Sequence, residues 1–173
     1  MHERNRLPAA NLGACQAARG GLPLKRHPSL RGLSDDHHTA LVIAARCKRS
    51  DEASAARTWE SVVAAAPSQL EPHFEIEERH LLPALRRIGE QALAERILDD
   101  HVQLRELLAV TRPTPDSVQE FGRALEAHVR YEEREIFERT QDRLPEDALV
   151  ALERACDEIP RVCPAGLFGS PEG

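Results

Sequence analysis

His73-Phe74-Glu75-Ile76-Glu77-Glu78-Arg79 and His128-Val129-Arg130-Tyr131-Glu132-Glu133-Arg134 share the form His-x-x-x-Glu-Glu-Arg. Upstream of each stands an Asp-Asp-His triplet, Asp35-Asp36-His37 before the first and Asp99-Asp100-His101 before the second. The chain therefore runs DDH, HxxxEE, DDH, HxxxEE. Histidine and glutamate are metal-ligand types, and a set of them recurring in one order reads as a site for two metal ions. A single HxxxE reads more simply as a surface pair or a satisfied histidine, because that spacing is common on helices. Two copies, each with its DDH partner, outweigh that simpler reading.

The copies lie in a chain of 173 residues, the length of one domain and enough for a full core. Aromatic residues make up only 3%, so Leu, Ala and Val must fill that core. A net charge of −6 without a basic stripe argues against a nucleic-acid partner. The longest apolar run, Ala40 to Ala45, is too short to span a bilayer, so no membrane association is expected. The N-terminus lacks an apolar segment of signal-peptide type. Cys15, Cys47, Cys156 and Cys163 show no CxxC spacing and read as free thiols of a reducing cytoplasm.

Residues 1–27 mix Gly, Pro, Ala, Asn and Arg without apolar period and read as a disordered arm, with His2 and His27 solvated. The bundle is expected over residues 28–160, followed by a Gly/Pro-rich tail at 161–173. Ser34-Asp35-Asp36 reads as the N-cap and acidic first turn of a helix that ends near Lys48-Arg49-Ser50. A second helix follows from Asp51, bends or breaks around Pro67 and Pro72, and continues to about Ile88, where Gly89 stops it. A third spans about Glu90 to Val110. The Arg112–Asp116 turn leads to a fourth from Ser117 to Arg143, and Pro145 to Ile159 forms a short extra helix. No strand signal appears, so the fold class is all-α: an up-and-down antiparallel four-helix bundle with a short extra C-terminal helix.

The same geometry gathers the ligands. Residues i and i+4 of an α-helix differ by about 40° in direction and about 6 Å in height, so His73 projects with Glu77 and His128 with Glu132. Glu78 and Glu133, at i+5, should point about 140° away, to solvent or to ion pairs. In an antiparallel bundle two residues share a layer when a turn lies midway between them. The midpoints of His37 and His73, of His73 and His101, and of His101 and His128 fall at or beside the turns read from composition. His37, not its neighbour His38, matches His101 within the DDH repeat.

The candidate ligands are thus His37, His73, Glu77, His101, His128 and Glu132. Four imidazoles and two carboxylates in a bundle suit a non-haem di-iron centre. If both glutamates bridge, each iron has two His nitrogens and two carboxylate oxygens. An oxo or hydroxo bridge adds a fifth donor and leaves one open position per iron for O2, peroxide or nitric oxide. His80, three residues after Glu77, is a further candidate ligand, with a supporting or core position as the favoured reading. Tyr131 and Trp59 read as packing groups.

Over roughly residues 28–143 the chain resembles the hemerythrin-like family, the HHE cation-binding domains. The likeness rests on the two HxxxE motifs, their upstream histidines and the run His73-Phe-Glu-Ile-Glu-Glu-Arg-His-Leu-Leu-Pro-Ala-Leu85. It implies a four-helix bundle holding two irons bridged by oxygen and two carboxylates. Oxygen-carrying hemerythrins have HxxxH in the third helix and HxxxxD in the fourth. Here Arg105 follows His101 at i+4, and Glu132 follows His128 at i+4. The pattern H–HxxxE–H–HxxxE is similar to a bacterial subgroup, for which handling of peroxide, nitric oxide or iron is implied. The expectation is a cytoplasmic di-iron protein that turns over peroxide in a catalase-like reaction. The alternative is a sensor or store for O2, nitric oxide or iron without turnover, and a bundle built on structural zinc is a third reading.

Overall fold

The computed structural model describes residues 26–159. The first helix, α1 (Arg31–Lys48), is preceded by a 3-10 turn at Pro28–Leu30. The second limb is segmented into α2 (Ala55–Gln69), α3 (Glu71–Ile76), a π-helical turn (Glu77–Leu81) and α4 (Leu82–Arg87). The third is α5 (Gln91–Leu108). The fourth joins α6 (Pro115–Tyr131), a second π-helical turn (Glu132–Phe137) and α7 (Glu138–Thr140). A short helix, α8 (Glu146–Asp157), closes one end. The described residues contain no strand, and the four limbs form the expected all-α bundle.

Local chemistry explains where the limbs stop. Gly89 ends the second limb at φ +84°, a left-handed conformation that side chains resist. The Thr114 hydroxyl accepts from the Ser117 backbone N–H, and Ser117 reciprocates to Thr114, a capping box that starts α6. Pro115 fits the first turn because its missing N–H has no partner to lose there, so the helix begins two residues before the expected Ser117. Pro67 is accommodated inside α2, and the break falls at Leu70, between the two prolines.

One expected cap is corrected. Helix α1 begins at Arg31, before Ser34, and its N-terminus has no side-chain cap. Ser34 sits within the helix and its hydroxyl donates to Glu133 Oε1 at 2.9 Å.

The core has two apolar clusters. One holds Leu33, Ile76, Leu85, Ile97, Ile136 and Phe137 and is covered by Leu149 and Leu152 of α8. The other holds Ile43, Trp59, Phe74, Leu104, Phe121 and Leu125. The Trp59 indole N–H donates to the Val110 carbonyl at 3.0 Å, so this ring belongs to packing. Helices α1 and α6 approach closely at Gly122, where an added Cβ would lie 2.7 Å from both Ala44 O and Cys47 Cβ.

Of the expected arm at 1–27, residues 1–25 lie outside the described residues, as does 160–173, which includes the expected tail. Arg26 and His27 are docked. The Arg26 guanidinium pairs with Glu133 and covers the Phe137 ring at 4.8 Å. The His27 backbone N–H donates to Gln141 Oε1 at 2.9 Å, and its ring accepts from the Ser29 N–H. No described helix is long and apolar enough to cross a membrane.

Candidate metal centre

Between the two clusters lies a polar layer. Each limb contributes at one height: His37 from α1, His73 and Glu77 from α3 and its π turn, His101 from α5, and His128 and Glu132 from α6 and its π turn. All six are at most 4% exposed. Their donor atoms form two groups, His37–His73–Glu77–Glu132 and Glu77–His101–His128–Glu132, and within each group the atoms lie within 4.8 Å of one another. Glu77 reaches both histidine pairs, Oε1 standing 3.4 Å from His73 Nε2 and Oε2 standing 3.2 Å from His101 Nε2. Glu132 does so through Oε2, 3.0 Å from His37 Nε2 and 3.4 Å from His128 Nε2. His80 is half-buried and belongs to neither group.

The ring pairs repeat as the sequence does. His37 and His73 meet edge to face at 4.9 Å and 72°, and His101 and His128 at 4.9 Å and 71°. Phe74 stacks on His101 at 4.3 Å, and Phe137 on His37 at 5.4 Å. Apolar faces thus hold the imidazoles while their Nε2 atoms converge.

The outer side of the layer is a set of carboxylates that the sequence reading did not assign to the histidines. His37 Nδ1 donates to Glu133 Oε1 at 2.7 Å, and His101 Nδ1 donates to Glu78 Oε1 at 2.8 Å. His73 Nδ1 stands 3.6 Å from Asp36 Oδ2, and His128 Nδ1 stands 3.8 Å from Asp100 Oδ2. The exchange is reciprocal. Each DDH supplies an aspartate to a histidine of an HxxxEE, and each HxxxEE supplies its second glutamate to a DDH histidine. The signal was present, since these four acids recur at matched places in both repeats.

Glu78 and Glu133 stand on the outer side of the histidines, just where each HxxxE motif runs into a π turn. The expected ion pairs are present as well. Arg105 bridges Glu78 and Glu71, at 2.7 and 2.6 Å, and Arg26 holds Glu133.

The layer is electrostatically unresolved on its own. All four Nε2 atoms and all four oxygens of Glu77 and Glu132 are buried without a hydrogen-bond partner. Such groups cost about 1–3 kcal/mol each when left so, and a cation set among them is the arrangement that removes the cost. Burial and the charge of Glu132 push the Glu77 carboxyl well up. Burial also works to raise Glu132, but the neighbouring His128 and His37 hold it far down. Burial works to lower His37, but contact with Glu132 and Glu133 raises it to about 9. Burial, reinforced by His128, lowers His101 to about 4.

The family model described as the hemerythrin HHE cation binding domain matches residues 29–140. No curated protein and no solved structure matches the chain. A four-limbed bundle, two histidine–glutamate groups at its centre and a match over most of the described residues agree, and the chain belongs to the hemerythrin HHE cation-binding domain family of non-haem metal-binding proteins.

Proposed function

We propose that His37, His73, Glu77, His101, His128 and Glu132 hold two iron ions joined by an oxo or hydroxo bridge, and that this centre turns over peroxide in a catalase-like reaction. The carrying observation is the ring of eight buried nitrogen and oxygen atoms without hydrogen-bond partners, shared between two groups. Imidazole with carboxylate suits iron, and the donor count leaves room on each ion for an outside ligand. When bound, the ions supply Lewis-acid and redox chemistry toward an O–O bond. The chain does the rest. Glu133 and Glu78 accept from Nδ1 of His37 and His101 and so aim the Nε2 lone pairs inward. Phe74 and Phe137 shield the rings from water. Arg105, at the place of the oxygen carriers' second third-helix histidine, is engaged with Glu71 and Glu78, which argues against oxygen carriage. A cytoplasmic location belongs to the same reading.

The second reading is a sensor or store for O2, nitric oxide or iron, and one observation favours it. Three groups could pass protons at an open position. Glu133 lies behind His37, Tyr131 packs under Arg96 against the apolar cluster, and His80 joins neither group. Peroxide consumption by the iron-loaded protein separates the readings. Sustained turnover releasing one O2 per two peroxides supports the enzyme. A single stoichiometric change that then stops supports the sensor.

A further inference from the structure

The four histidines are not held alike. Nδ1 of His37 and His101 is clasped by a glutamate at 2.7 and 2.8 Å. Nδ1 of His73 and His128 stands 3.6 and 3.8 Å from its aspartate, beyond hydrogen-bond reach. Asp100 Oδ2 and His128 Nδ1 are both buried and without hydrogen-bond partners. Asp100 is otherwise tied by Oδ1 to Arg96 Nε at 2.8 Å.

These two residues also line a cleft of about 320 Å³ between α5 and α6. Ala124 and Ala127 leave the α6 side open, and Arg96, Gln103, Glu120 and Arg123 are its exposed polar lining. Two guanidinium groups face two carboxylates, so the lining selects for hydrogen bonding and not for one sign of charge. A water takes roughly 30 Å³ of liquid volume, so a molecule of peroxide size fits with several waters. Any outside ligand must cross a wall to reach six residues that are at most 4% exposed. The His128 ring is a wall that the centre shares with this cleft, and no hydrogen bond to Asp100 fixes it.

We propose that the α5–α6 cleft is the path by which a small hydrogen-bonding ligand of the peroxide class reaches the centre, passing beside the His128 ring that the cleft and the centre share. The path rests on the two-metal reading above. The test uses azide as a small polar probe of the iron-loaded full chain, mixed by stopped flow and followed in the visible spectrum. Ala127→Leu obstructs the cleft at an exposed position that tolerates a larger side chain, and Ala124→Leu obstructs it deeper. Ala64→Leu, exposed on α2, is the control. The expected result is an azide association rate at least tenfold lower in either cleft variant, with an unchanged end-point spectrum and iron content and a control at the wild-type rate. Wild-type rates in both cleft variants, with iron bound, overturn the path alone. A wild-type chain that takes up no metal overturns the two-metal reading and the path with it.

Discussion

At the residue scale, the centre depends on which of two adjacent histidines faces inward and on what stands behind it. His37 is buried and His38, its neighbour, is exposed, so one residue of rotation separates a ligand candidate from a solvated side chain. His101→Ala should sharply lower metal occupancy while His38→Ala leaves it at the wild-type level. Metal analysis of the purified variants checks this, and equal losses would sink the assignment drawn from the DDH repeat. Glu133→Ala removes the acceptor of His37 Nδ1 and frees the ring, which should weaken metal affinity about 10–100-fold. Chelator competition measures it, and an affinity equal to wild type would mean that Phe137 stacking alone orients His37. The six inward-facing residues were legible in the sequence because four of them follow α-helical i,i+4 arithmetic and the other two are fixed by the repeat. The four acids behind the histidines were not assigned, because each reaches a histidine on a different limb, and i,i+4 arithmetic describes one helix at a time.

At the element scale, the order and number of helices followed from periodicity and from strong punctuation, such as Gly89 and the Thr114–Pro115 start. Ser34 misled because its hydroxyl has a better use. It donates to Glu133, and that partner lies 99 positions away, where no local pattern reaches. The contact between α1 and α6 was likewise invisible in composition. At Gly122 even one methyl group meets Ala44 O and Cys47 Cβ at 2.7 Å, so two limbs bearing His37 and His128 must separate to admit it. Gly122→Ala should destabilise the fold by about 1–3 kcal/mol and weaken metal binding, because the shift widens the spacing of the ligand layer. Urea titration of the metal-free and metal-loaded variant reads both effects. Wild-type stability in both states would mean that the helices adjust without cost.

At the scale of the whole molecule, a polar layer separates two apolar clusters, so the metal-free bundle carries a charge problem at its middle. The pH dependence follows from it. His37 has its pKa raised from 6.5 to about 9, so its stabilising contribution is complete below pH 6.5 and is lost as pH rises through 9. His101 is lowered to about 4, so between pH 6.5 and 4 the unfolded chain takes a proton that the folded chain refuses, and stability falls with acid. Glu78 and Glu133, whose pKa values their histidine and arginine partners lower against the effect of burial, add to the acid loss. Glu77, pushed up by burial and by Glu132, opposes the acid loss and adds to the alkaline decline, so the metal-free protein should lose stability as pH rises from 6.5 toward 9, by urea midpoints measured with a chelator present. Metal loading should remove the alkaline decline, since an ion takes the place of the His37 proton; an alkaline decline that persists after loading would show that His37 binds no ion. The central claim is the pair of metals, and the most direct measurement is the metal content and near-ultraviolet to visible spectrum of protein purified without added metal. Two irons per chain with oxo-to-iron charge-transfer bands are the predicted result. Zinc, a single metal ion, or no metal in a folded colourless protein would contradict it.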